Sequence, residues 1–207
     1  MFKIISLALV LVLSINVAMA GVFLESYLGY ALNGKVEKKE SATATASKWK
    51  YSSLGYGGRL GLQLKGFILG GSYEMMSYKW KGVDPKTTGI NDEDQKLDGT
   101  TYGGFLGYVF NMGLVLRGGY VYHEMKKKDD KGPYDSSDKY IGYGIAGALG
   151  LVILKNLAFY VEYRKYVDET IKIGGTKYKL DDGRKVDMSD IFVSLAIPIG
   201  GPSKGGK

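Results

Sequence analysis

The 207-residue chain sets 28 lysines and arginines against 21 acidic residues, for a net charge of +7, and holds 31 glycines and 17 tyrosines but four prolines and no cysteine. The lack of cysteine excludes disulfides and thiolate metal sites, and the aromatic content with so little proline excludes collagen-like repeats and low-complexity disorder. No nucleic-acid motif accompanies the positive charge, so it is not read as a nucleic-acid surface.

In chain order, Met1-Phe2-Lys3 is a positive start, Ile4 to Val17 is apolar, and Ala18-Met19-Ala20 is a small-x-small cleavage site before Gly21. Residues 1–20 therefore read as a secretory signal peptide. Removing Lys3 with it leaves a net charge of about +6. Beyond Gly21 no apolar run approaches the roughly 18 residues of a membrane helix. Residence in a membrane would have to come from strands. A single domain over 21–199 is expected, followed by a short polar tail at 200–207.

Eight segments then alternate apolar with small or polar residues: Gly21–Leu32, Leu54–Lys65, Gly66–Lys79, Gly99–Phe110, Met112–Met125, Lys139–Val152, Asn156–Tyr166 and Met188–Ile199. A period of two sustained over such lengths signals strands. Their joins alternate as well. Lys65-Gly66, the neighbourhood of Asn111, and Ile153-Leu154-Lys155 are short turns, whereas Asn33–Ser53, Trp80–Asp98, Lys126–Asp138 and Val167–Asp187 are long and charged. Short turns on one rim and long loops on the other predict an all-β fold, an eight-stranded antiparallel up-and-down transmembrane β-barrel. Within the last loop, Thr170–Ile173 and Lys177–Leu180 flank Gly174-Gly175-Thr176 and read as a projecting hairpin.

Alternation does not say which face points inward. A soluble barrel would put its apolar face inside and a Lys- and Glu-rich face in water. Here the polar faces carry mainly Gly, Ala and Ser, which suit a crowded lumen, and the lysines gather in loops and at strand ends. The apolar faces are therefore expected to point outward, to lipid. On that assignment seven tyrosines fall on the outward face: Tyr30, Tyr56, Tyr73, Tyr102, Tyr120, Tyr143 and Tyr163. They stand about 18–23 Å above the turns, near the edge of a roughly 25 Å apolar band where an aromatic girdle is expected. The last strand has Ile191 at that level. A weak repeat accompanies them, with Tyr56-Gly57-Gly58 and Gly61 echoed by Tyr102-Gly103-Gly104 and Gly107, and reversed at Gly118-Gly119-Tyr120. Inward glycine permits tight curvature, and an outward glycine can be covered by a neighbouring ring.

The same parity sends Glu25, Arg59, Glu74, Arg117, Glu162 and Arg164 inward as a lumen charge network. An eight-stranded barrel is only wide enough to be filled by side chains. A salt-bridged plug is the expectation, with a small gated pore as the alternative.

The signal sequence, eight strands, four long loops and Gly- and aromatic-rich strands resemble the small outer-membrane β-barrel superfamily, with its OmpA transmembrane-domain, OmpX-like and OmpW-like members. The resemblance is one of pattern over nearly all the mature chain. It implies an integral, porin-like protein of the outer membrane of a Gram-negative type cell, reached after signal-peptide cleavage. Such barrels commonly end in an aromatic residue, whereas here Gly200–Lys207 follows Ile199.

Enzymatic chemistry is not expected. A lipid A deacylase needs a His–Ser pair facing lipid, but the single histidine, His123, precedes Glu124 and Met125 and shares the inward parity of Arg117. Loop support, pH sensing or packing at the lumen mouth suits it better. No cofactor and no metal are expected, and Asn91-Asp92-Glu93-Asp94 reads as a solvated loop. The expected role is structural or surface-interacting, with a narrow passive channel as the alternative. The partners are expected to be outer-membrane lipid and lipopolysaccharide, with an extracellular ligand at the loops, no nucleic acid, and a monomeric state.

Overall fold

A computed structural model describes residues 21–38, 47–82, 95–127, 139–154, 156–180 and 185–199. The expected signal peptide, the tail at 200–207, the Asn91–Asp94 segment and most of the Lys126–Lys131 charge run lie outside the described residues.

The chain forms β1 (Gly21–Lys38), β2 (Ser47–Leu64), β3 (Phe67–Gly82), β4 (Gln95–Val109), β5 (Leu114–Lys127), β6 (Lys139–Leu154), β7 (Leu157–Ile173), β8 (Thr176–Lys179) and β9 (Val186–Ile199). Each strand pairs antiparallel with its sequence neighbour, β9 pairs with both β7 and β1, and the β6–β7 pairing closes the ring. The result is a closed, up-and-down, eight-stranded barrel in which β8 only extends β7 as a hairpin. Closure leaves no barrel edge open to other chains.

Local chemistry accounts for the turns. Lys65 and Gly66 both adopt positive φ (47° and 91°), as do Gly174 and Gly175 (54° and 91°). This is the two-residue hairpin geometry whose twist matches that of the flanking strands. Two irregularities matter above the barrel's middle. Asn33, at φ 51°, makes a bulge in β1, so that Ala31 faces Ser53 but Gly34 faces Tyr51. Glu169 is an extra residue in β7, because Gly142 opposes Asp168 while Ile141 opposes Thr170.

The strands run farther than the alternation alone predicts. β1 continues to Lys38, β2 begins at Ser47, and β7 reaches Ile173, so much of the first and last expected long loops is paired sheet. There both faces carry polar residues and the period-two contrast fades. The hairpin from Thr170 to Leu180 is present, with Ile173 opposite Thr176.

The outer wall is apolar, with Leu24, Leu28, Leu60, Leu69, Leu106, Leu116, Ile145, Leu149, Val161 and Leu195 all exposed. The lumen is not lined by small residues alone. Tyr27, Tyr51, Tyr78, Tyr160, Tyr166 and Phe192 are buried inside it. The glycines make room for these rings. A Cβ on Gly34, Gly99, Gly144 or Gly150 would collide with Tyr51, Tyr78, Tyr166 or Tyr160 respectively. The reading that rings can cover outward glycines is corrected on this point. A Cβ on Gly58, Gly71, Gly104 or Gly118 would meet only a backbone carbonyl, and one on Gly147 nothing within 4 Å. Ring coverage falls on the inward glycines because only the lumen is short of space.

Candidate functional site

The six charged residues of the expected network are all buried in the lumen. They divide into two clusters stacked along the barrel. In the cluster nearer the turns, Arg59 Nη1 donates to Glu25 Oε1 at 2.6 Å and its Nη2 to Glu162 Oε2 at 3.4 Å. Arg117 reaches the same two carboxylates, with Nη1 3.3 Å from Glu25 Oε1 and Nη2 3.7 Å from Glu162 Oε2. The Tyr160 hydroxyl donates to the other oxygen of Glu25 at 2.8 Å. The guanidiniums also lie on rings, Arg59 at 3.8 Å from the Tyr27 centroid and Arg117 at 4.5 Å from that of Tyr160.

In the second cluster Arg164 is the hub. It grips Asp190 with both Nε and Nη2, at 2.8 and 3.0 Å, and donates through Nη1 to Glu74 Oε1 at 2.7 Å. A two-pronged grip of this kind needs the planar guanidinium fork. Tyr51 donates to Asp190 Oδ2 at 2.6 Å and Tyr27 to Glu74 Oε2 at 2.7 Å. Tyr27 thereby ties the clusters together, with its ring under Arg59 and its hydroxyl on Glu74. It reaches across the intervening strand because the residue between them, opposite both, is Gly57.

A third group closes the loop end. His123 is fully buried, with Nδ1 3.1 Å from Asp168 Oδ1, Nε2 3.1 Å from the Tyr78 hydroxyl, and its ring stacked on Tyr166 at 4.5 Å. Both ring nitrogens are thus engaged, and the Tyr78 hydroxyl itself donates to Met76 Sδ at 3.0 Å. Here too a glycine, Gly142, stands between the partners, opposite His123 on one side and Asp168 on the other.

Five buried carboxylates (Glu25, Glu74, Glu162, Asp168, Asp190) thus share the lumen with three guanidiniums and one imidazole. Tyrosine hydroxyls supply the remaining donors to Glu25, Glu74 and Asp190. Between the first two clusters, Arg59, Glu74, Thr101, Arg117, Glu162 and Arg164 line a cavity of about 40 Å³. That is room for one or two waters. Thr101 Oγ1 and Arg117 Nη2 are buried without a hydrogen-bond partner, and both line this space.

Two acids are missing from the network expected from sequence. Asp190 has the inward parity of β9 but was not grouped with the other charges. Asp168 fell in an expected loop, although it lies two residues past Tyr166 on the parity of Glu162 and Arg164. Alternation places Tyr27 on the inward face with Glu25, but it does not single out the inward rings as a set, because the outward tyrosines are equally regular. On the outer wall, Tyr30, Tyr56, Tyr73, Tyr102, Tyr120, Tyr143 and Tyr163 are all exposed, as is Ile191. Tyr122 joins them, its ring 4.8 Å from that of Tyr102 and 5.6 Å from that of Tyr143.

No protein-family model matches the sequence, and no curated protein matches it. Solved structures do. The fold is similar to that of Neisserial surface protein A (NspA), with a TM-score of 0.53 at 12% identity over 85% of this chain and 96% of that one. The outer membrane protein OprG from Pseudomonas aeruginosa matches at a TM-score of 0.47 and 11% identity, over 88% of this chain and 97% of that one. Ail, the attachment invasion locus protein of Yersinia pestis, matches at 0.46 and 12% identity, over 86% of this chain and 98% of that one. Closed ring, strand number and the likeness to NspA agree: the chain has the fold of the small eight-stranded outer-membrane barrels.

Proposed function

We propose that this protein is an integral outer-membrane barrel with a closed lumen, which acts structurally and through its loops rather than as an enzyme. The observation that carries the reading is an inversion of the soluble pattern. Large apolar side chains cover the outer wall, while five carboxylates and three guanidiniums are buried inside. Exposed apolar surface beyond a few hundred Å² marks an interaction surface, and a continuous band around a barrel fits only lipid. The ladder of ion pairs, with a cavity of about 40 Å³ between its clusters, supports a plugged interior. His123 supports the non-enzymatic reading, since it is fully buried and both its ring nitrogens are engaged.

Folded protein is expected to migrate differently on gels before and after boiling and to fractionate with outer membranes. A freely soluble product would reject the membrane reading. One observation favours the alternative of a narrow channel: Arg59 and Arg117 both reach both Glu25 and Glu162, so the pairs can exchange partners. Planar-bilayer recording decides. The plug predicts no unitary steps, whereas reproducible steps altered by Glu162→Gln would establish the channel instead.

A further inference from the structure

The outer wall changes character beyond the tyrosines. On β2, β3, β4 and β5 a lysine stands six residues loopward of a girdle tyrosine: Lys50 from Tyr56, Lys79 from Tyr73, Lys96 from Tyr102 and Lys126 from Tyr120. All four lysines are exposed. Six residues preserve parity, so each shares the outer face with its tyrosine.

Lysines oppose one another across strands at several places on this collar, as at Lys35–Lys50–Lys81 and Lys79–Lys96, and the longest such run crosses β5 to β8. Lys126 is directly opposite Lys139, Lys139 opposite Lys172, and Lys172 opposite Lys177. Directly opposed residues share a face, and like charges so placed destabilise a sheet. Here three such pairs follow one another. The extra residue Glu169 creates the arrangement. Without that bulge Ile171 would oppose Lys139 and Lys172 would turn to the other face. One carboxylate reaches the line from within it, since Glu124 pairs with Lys139. Asp98 lies opposite Lys126 at the β4 end and accepts from Ser77. Among the described residues, no carboxylate forms an ion pair with Lys126, Lys172 or Lys177. Four strands at the usual spacing make the line about 14 Å long.

A second feature coincides with it. Two to three outward positions below, past Glu124 and Ile141, four outward tyrosines on β4 to β6 touch: Tyr102 with Tyr122 at 4.8 Å, Tyr122 with Tyr143 at 5.6 Å, and Tyr120 with Tyr143 at 5.9 Å, nearly parallel. A patch of amphipathic rings beneath a line of cations matches a lipid that carries separated anionic groups above its acyl chains.

We propose that the line Lys126–Lys139–Lys172–Lys177 is a binding site for the phosphorylated sugar headgroup of a glycolipid of the lipid A class, with its acyl chains against the Tyr102, Tyr120, Tyr122 and Tyr143 patch. The site rests on the membrane reading above, because only then does this wall face lipid. A 14 Å line of cations (about four strand spacings less one) engages two phosphates set apart on one headgroup. A single phosphate uses only part of it.

The test uses the full protein refolded in zwitterionic detergent, with bisphosphoryl lipid A, monophosphoryl lipid A and inorganic pyrophosphate as probes, read by native mass spectrometry and titration. Replacing Lys126, Lys139, Lys172 and Lys177 by glutamine is expected to weaken bisphosphoryl lipid A by about tenfold or more. An equal loss of charge from the shorter opposed runs of the collar, at Lys35 and Lys50 on β1 and β2 and at Lys79 and Lys96 on β3 and β4, is expected to weaken it by less than about threefold. Monophosphoryl lipid A should bind the native protein more weakly than the bisphosphoryl form. Equal weakening by both sets of substitutions, no weakening by the first, or pyrophosphate binding as tightly as lipid A would each overturn the site. Insertion of the native protein into liposomes, followed by the gel shift on boiling, is scored separately. Failure there rejects the membrane reading, whereas normal insertion with unchanged lipid A binding by the variant rejects only the site.

Discussion

The inner and outer walls of this barrel are both charged, yet they use different cations. The chain has four arginines, and three of them, Arg59, Arg117 and Arg164, are in the lumen, while Arg184 lies outside the described residues. No described lysine is buried, and the lysines occupy the loopward outer wall, the rims and the hairpin. The division follows from chemistry. A guanidinium is weakly hydrated, planar and able to satisfy two carboxylates and an aromatic face at once, which a dry, crowded lumen demands. An ammonium is a compact, strongly hydrated charge on a flexible stem, suited to a wet interface where its partner is not preset. Both walls carry cations, and burial decides which residue supplies them.

The largest expected effect breaks the inner wall at its hub. Arg164→Met leaves Glu74 and Asp190 buried without their cation and should cost about 3–5 kcal/mol in urea unfolding from micelles. Adding Glu74→Gln and Asp190→Asn to that variant should recover much of the loss, because the penalty lies in the stranded charges. No recovery would mean that Arg164 acts by packing on Phe192, over which it lies at 3.9 Å.

Crowding is next. Gly150→Val places new atoms inside the Tyr160 ring and should cost about 1–3 kcal/mol. Gly147→Ala, with nothing within 4 Å on the outer wall, should stay within about 0.5 kcal/mol. Similar losses at both sites would show that strand geometry, not lumen space, requires glycine.

Arg59→Lys sharpens the contrast at constant charge. The fork that spans Glu25 and Glu162 is lost, and a loss of about 1–2 kcal/mol is expected in the same unfolding assay. A lysine that performs as well would remove the physical basis for the division. The smallest effect belongs to the outer wall. Lys126→Gln should change unfolding by less than about 0.5 kcal/mol, so that its consequence appears in lipid binding and not in stability.

Much of this design is legible in the chain because a strand has a strict period of two. Once Tyr30 and Leu28 are placed outside, Glu25 is inside by counting, and the same count applies along every segment from Arg59 to Arg164. Counting fails where the strand is irregular or where both faces are polar. Lys172 is outward only because Glu169 bulges, and Asp168 was hidden because β7 outruns its alternating stretch. Parity also cannot pair residues across the lumen. Arg59 meets Glu162, which lies 103 positions away, because eight tilted strands with one particular register bring β2 and β7 to the same height.

By itself, then, the sequence determined the strands, their even number, the outward tyrosines and the inward side of the six charges, since all of these follow from local alternation and turn chemistry. Only the tertiary structure decided which guanidinium grips which carboxylate, that Asp168 and Asp190 belong among them, and that inward tyrosines fill the spaces left by inward glycines. It also set four lysines in one line across β5 to β8. Those outcomes depend on barrel closure, shear and bulges, which sum contacts between residues far apart in the chain and leave no periodic trace along it.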